Sequence, residues 1–380
     1  MNQKTPTRTI TRRLGFILGR AALGILGLII GLGIFEMGLR LFPIPNRFVM
    51  QKQLEDLWES DPELLLHLKP NTDQWITGHP EFRFEVITNA EGLRDETFTT
   101  DQTIATVGDS FTFGFGVSAE EAWPSQLESL SQVPVANLGW AGWNSYVYPV
   151  SIQRYAIPVH ARLWLWAFFV NDLPESAGAE AFITSGQTDF KTWSQQGNIP
   201  NPTSKFPFNL RSIQLLAALF SPDLFLLPNS GDALFDDGSL NFRYGRYAWQ
   251  MSDPTRPEVQ RGWEILEEKL YETRQLAAEN DAQLVVIFIP SREHVYWPFV
   301  QELMADVNIK QLDDVDTRLK LFCDENNIGY LSLLPGLRAT GLTGQMLYFP
   351  NDGHLNADGH ALAASLTYAY LLEHRLLVGE

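Results

Sequence analysis

The chain begins with a polar, basic stretch, MNQKTPTRTITRR, and then turns apolar from Leu14 to Phe35 with Arg20 as the one interrupting charge. At about 1.5 Å of rise per helical residue, a run of that length reaches across a bilayer core. Arg20 lies near one end, where its side chain can snorkel to the interface. Lys4, Arg8, Arg12 and Arg13 precede the run, whereas Arg40 and Arg47 follow it. That asymmetry puts the N-terminus in the cytosol and the rest of the chain outside, in the periplasm or beyond. IGLGIFEMGLRLFPIP shows no small-x-small cleavage site, which favours an uncleaved signal anchor over residues 14–38, after a cytosolic tail at 1–13. A buried core helix is the competing reading of the same run.

Beyond the prolines of RLFPIPNRF the pattern changes. Residues 39–100 read as an extension laid against a main domain at 101–380. They hold a short acidic helical stretch, QLEDLWESDPELL, and an alternating run in which Phe82, Phe84 and Val86 face away from Arg83 and Glu85. From 103 onward, apolar runs of strand length recur: TIATV, VPVANL, LWLWAFFV, LVVIFI and GYLSLL. Continuous apolar runs fit parallel strands covered on both faces. Between them lie helical spacings: Val259, Trp263, Leu266, Leu270 and Ala277; then Leu312, Val315, Leu319 and Phe322; then Leu362, Leu366 and Ala369 behind a candidate cap, Asn356. Strands alternating with helices predict an α/β domain with a parallel sheet. Residues 173–256, rich in Pro, Gly, Ser, Asn and aromatics, break the rhythm. They read as an insertion that forms a lid or a substrate-binding wall.

Composition narrows the chemistry. A net charge of −17 disfavours nucleic acid as a partner, and the single cysteine, Cys323, rules out an intramolecular disulfide framework and a Cys-rich zinc site. No cofactor motif stands out. Candidate chemistry falls at the carboxyl ends of the strands, where ligands bind in open α/β sheets.

Gly108-Asp109-Ser110 follows the first of these strands. It reads either as a capped strand-to-helix turn or as a serine presented for attack. A serine hydroxyl needs a base, and the base needs an orienting partner. Of the seven histidines, His67, His79, His160, His294 and His374 have no companion pattern and read as surface or packed residues. FPNDGHLNADGH differs: Asp352 stands two residues before His354 in a glycine-containing loop ahead of the last helix. An Asx turn with a helix cap is the competing reading there. Asp352, His354 and His360 as metal ligands is another, weakened because His360 falls inside the helix. NLGWAGWNS, after the second strand, offers the N–H of Gly139 or Gly142. FFVNDL, after the third, offers the Asn171 amide beside Asp172.

Taken jointly, GDSFTFG, NLGWAGWN, FVND and NDGHLNADGH resemble the four blocks of the SGNH (GDSL) hydrolase superfamily. The resemblance spans roughly residues 85–375 outside most of the insertion, and TNAEGLRDE and GFGVSAEEAWPSQLE are similar to a membrane-anchored bacterial subgroup. It implies a three-layer α/β/α domain with a mostly parallel, five-stranded, flavodoxin-like sheet. It also implies Ser110 as nucleophile, His354 as base and Asp352 as its partner. The Ser110 and Gly142 N–H groups and the Asn171 amide would form the oxyanion hole. Two departures stand out: Asp-x-His replaces the commoner Asp-x-x-His, as in the alginate acetyltransferase-like branch, and Val170 stands where glycine is usual. The implied activity is esterase action on O-acetyl or other short acyl groups of a small molecule or polysaccharide, without cofactor or metal. Acyl transfer to an envelope glycan and non-catalytic glycan binding are the alternatives. Trp140, Trp143, Trp193, Trp249 and Trp297 would stack on sugars if exposed; core packing is the competing reading.

Overall fold

The computed structural model describes residues 7–40, 47–95, 98, 103–194 and 233–377. The chain divides into two units, one of residues 1–45 with 204–226 and one of 46–203 with 227–380. The described part of the first is a single helix, Thr7–Arg40. Its side chains are described at Arg20 and from Leu23 to Leu39, so the first part of the expected 14–38 span lies outside the described side chains. Among the described residues no helix is long and apolar enough to cross a membrane.

In the second unit the extension forms a helix, Arg47–Leu57, and two antiparallel pairs: β1 (Trp58–Asp61) with β2 (Leu65–Leu68), and β3 (Asp73–Ile76) with β4 (Phe84–Ile87). The acidic stretch expected to be helical stops at Leu57. Asp61 turns the chain instead, its Oδ1 accepting the N–H groups of Glu63 and Leu64, both at 2.8 Å. Phe84 and Val86 are buried and Glu85 is not, as the alternation predicts.

The main sheet holds β5 (Ile104–Val107), β6 (Val135–Asn137), β7 (Leu163–Phe168), β10 (Gln283–Phe288) and β11 (Gly329–Ser332) in the order β11-β10-β7-β5-β6. Every neighbouring pair is parallel. Strand β7 is central and buried along its whole length, which is why its six residues, LWLWAF, carry no polar position. Helices cover the sheet as packed pairs: Asp172–Thr184 on Pro257–Glu279, and Trp123–Ser131 on Ala357–Glu373. The first strand, β5, lies inside the sheet, and the chain winds outward from it in both directions. This is the doubly wound, flavodoxin-like order, and its switch point falls between β5 and β7.

Within the expected insertion, residues up to Thr184 continue as helix against the sandwich. A hairpin, β8 (Ala233–Asp236) with β9 (Asn241–Tyr244), follows later. Residues 195–232, on which most of the lid or wall reading rests, lie outside those described. Trp140, Trp143 and Trp249 are buried, at 3%, 2% and 5% exposure. Trp143 donates its indole N–H to Leu66 O and Trp249 to Asn308 O, while Trp140 packs edge-on against Trp58 and Phe113. Sugar stacking by these three is thereby excluded. Trp193 packs edge-on against Phe182.

Candidate active site

Strand β5 delivers the chain to Gly108 at its carboxyl end. Asp109 then caps a one-turn helix, Ser110–Phe113, by accepting the Phe111 N–H at 2.9 Å. The turn ends at Gly114, whose φ of 79° is left-handed. Both readings of this tripeptide therefore hold: aspartate is the cap, and the cap presents the serine.

The histidine comes from the far end of the chain. Tyr348 and Leu355 form an isolated antiparallel bridge that closes a tight loop after the last sheet strand. Within it, Asp352 Oδ1 accepts both the backbone N–H of His354, at 2.9 Å, and its ring Nδ1, at 2.5 Å. The two-residue spacing makes this double contact possible. On the other side of the ring, Nε2 lies 2.8 Å from Ser110 Oγ. An ionised Asp352 fixes the tautomer with its proton on Nδ1, leaving the Nε2 lone pair for the serine hydroxyl.

Electrostatics agree with that tautomer. Burial pushes the Asp352 carboxyl up, but the His354 charge and its two hydrogen bonds outweigh it and hold the carboxyl far below the usual range. Burial opposes charge on His354, yet the Asp352 carboxylate raises its pKa above the ordinary imidazole value. The ring packs against Phe111 and Phe115, with centroids at 5.0 and 4.7 Å, and about a quarter of its side chain is exposed.

Candidate oxyanion donors follow β6 and β7. Gly139 is committed to packing. Its N–H donates to Asn137 Oδ1, and a Cβ there would sit 2.5 Å from the backbone nitrogen of Phe113. Gly142 has a φ of 104° and open space where a side chain would stand. Asn171 heads the helix Asp172–Thr184, and one of its amide protons goes to Glu175 Oε1 at 3.2 Å. Asp172 is structural: it accepts from Ser145 Oγ and Tyr148 OH, tying the turn after β6 to the turn after β7. Asp109 and Glu175 share this buried corner, and burial pushes their carboxyls up to about 6 and about 8.

His360 is apart from this arrangement as a ligand. It lies fully buried in the last helix, accepts the Trp123 N–H at 3.3 Å, and burial lowers its pKa to about 3. Among the described residues no group of three His, Cys, Asp or Glu side chains is placed to hold a metal ion.

Three residues at the site escape a sequence reading. Arg292 Nη1 donates to the carbonyls of Phe349, Pro350 and Asp352 at 3.0, 3.1 and 3.0 Å, gripping the histidine loop from the end of β10. Glu81 holds the same loop through Asn351. His79 stacks on Phe82 at 3.9 Å; burial lowers its pKa, and it lies near enough for Asp352 and His354 to act on it. Arg292 lies in FIPSREHVYWP, and nothing in that spacing shows which loop it grips.

No protein-family model and no curated protein matches the chain. Among solved structures it is similar to a protein described as lipolytic and of the G-D-S-L family from Desulfitobacterium hafniense DCB-2, at 12% identity over 71% of this chain and 100% of that one, with a TM-score of 0.40. An acetyl xylan esterase is similar at 11% identity over 70% and 98% of the two chains, with a TM-score of 0.38. A catalytic mutant of an acetylxylan esterase from Geobacillus stearothermophilus is similar at 11% identity over 71% and 94%, with a TM-score of 0.38. At these identities and scores the likeness carries no weight for activity or substrate.

Proposed function

We propose that the protein is a serine esterase of the SGNH type, with Ser110 as nucleophile, His354 as general base and Asp352 as the residue that orients and charges the imidazole. The observation that supports it is the hydrogen-bonded series Ser110 Oγ–His354 Nε2 at 2.8 Å and His354 Nδ1–Asp352 at 2.5 Å. In this reading Ser110 attacks the ester carbonyl as its proton passes to His354. The Ser110 and Gly142 N–H groups and the Asn171 amide receive the oxyanion. The alcohol leaves with the proton from His354, and water, activated by the same nitrogen, releases the acyl group.

The substrate we propose is a short acyl ester of a small molecule or polysaccharide. Turnover of p-nitrophenyl acetate, butyrate and octanoate by the full chain tests this. The expected order is acetate fastest, and octanoate as the best substrate would overturn it. Mass spectrometry of a reaction with an added glycan acceptor separates the two fates of the acyl group: free acid means hydrolysis, acetyl-sugar means transfer.

The location is a proposal that rests on the sequence: anchoring by the N-terminal helix, with its basic end in the cytosol and the catalytic unit on the far side. The exposed apolar side chains along that helix, from Leu23 to Phe35, support it. Fractionation of the full chain against residues 47–380 is the test. The full chain is expected in carbonate-resistant membranes and the truncated one in the supernatant; recovery of both in the supernatant would refute anchoring.

A further inference from the structure

Ser110 and His354 are 244 residues apart in the chain, so some element has to set their separation. One segment of the extension touches both sides. Arg94 is buried at 3% exposure and donates four hydrogen bonds, all to carbonyls. Three of them are the oxygens of Phe113, Gly114 and Val117, at 3.2, 2.8 and 2.8 Å, which end the nucleophile helix and the loop after it. The fourth is Glu85 O, on β4 of the extension itself. Just before β4, the Glu81 carboxylate accepts the Asn351 N–H with both oxygens, at 3.0 and 2.9 Å, and Asn351 Nδ2 at 2.9 Å. Asn351 immediately precedes Asp352. Phe82 fills the gap between, meeting Phe349 of the histidine loop at 4.7 Å and Phe115 of the nucleophile loop at 5.8 Å.

On the esterase reading above, we infer that residues 81–94 are the positioning element of the site: Arg94 holds the Ser110 side, Glu81 holds the His354 side, and the strand between them sets the distance from Oγ to Nε2. Charged groups anchor both ends, and hydrogen bonds to charged groups are about twice as strong as neutral ones. Arg292 and Arg243 grip the histidine loop from β10 and β9, so loss of Glu81 shifts that loop without releasing it. A shift of about 1 Å is enough to cost on the order of a hundredfold in rate.

The test uses the full chain with Glu81→Ala and Glu81→Gln, assayed on p-nitrophenyl acetate well below the melting transition. It is read together with the downfield His354 Nδ1–H proton in the NMR spectrum, assigned by its loss in His354→Gln. Glu81→Ala is expected to lower kcat roughly ten- to a hundredfold with KM nearly unchanged, and to move or broaden that proton. Glu81→Gln, which keeps one acceptor oxygen, is expected to fall between Ala and wild type. Arg94→Lys should lower kcat in the same way; Glu81, being only half-buried, remains the informative site if the arginine variant does not fold. Wild-type kcat with an unmoved proton in Glu81→Ala overturns the inference, as does a kcat loss that only tracks lowered melting. If the wild-type chain shows no Ser110-dependent turnover, the esterase reading fails. The proton signal alone then decides the positioning: moved in Glu81→Ala supports it, unmoved overturns it.

Discussion

Ser110→Ala is expected to remove ester hydrolysis almost completely, lowering kcat by on the order of 10⁴ to 10⁶. The methyl group leaves Asp109 free to cap the same turn through the Phe111 N–H, so folding should hardly change. What disappears is the Ser110 oxygen that lies 2.8 Å from His354 Nε2. Some rate above water would survive through oxyanion binding alone. The measurement is kcat on p-nitrophenyl acetate for the two proteins at equal concentration, with melting temperatures to show that both are folded. Turnover of Ser110→Ala within a few-fold of wild type would show that another group carries the reaction.

Asp352→Asn is expected to cost about 10³ to 10⁴ in kcat and to change the pH profile. Only neutral imidazole accepts the serine proton, so activity must fall as pH drops through the His354 pKa. Burial opposes charge on that ring and Asp352 favours it, with the net result above the usual imidazole value of about 6.5. The acid limb of kcat/KM in the wild-type enzyme therefore lies above that value. In Asp352→Asn the opposing charge is gone while burial remains, so the limb moves to lower pH even as the plateau falls. The amide also presents an N–H₂ toward Nδ1, which favours the wrong tautomer. A profile whose limb stays in place would mean that Asp352 does not set the charge on His354.

Much of this arrangement is legible in the sequence because its parts have local causes. Continuous apolar runs such as LWLWAF and LVVIF follow from burial on both faces, and they appear as β7 and β10. Asp352 and His354 are legible because two residues in a tight loop suffice for their contact. Trp140 and Trp143 look the same in sequence whether they face sugar or core, and only their burial decides it. Gly139 and Gly142 likewise look equivalent until one is seen packed against the nucleophile turn and the other open. Glu81, Arg94 and Arg292 could not be assigned because most of their partners are backbone groups outside their own segments, and a backbone N–H or carbonyl leaves no trace in residue identity. His79 had no companion pattern because the catalytic groups that act on it, Asp352 and His354, are more than 270 positions away.

Asp352 occupies Nδ1 of the imidazole at 2.5 Å, so on the esterase reading Nε2, the nitrogen facing Ser110 at 2.8 Å, has to serve both halves of the cycle. The incoming hydroxyl, whether of water or of a sugar, must then take up the position that the first alcohol vacated, and a slow-leaving alcohol would obstruct its own replacement.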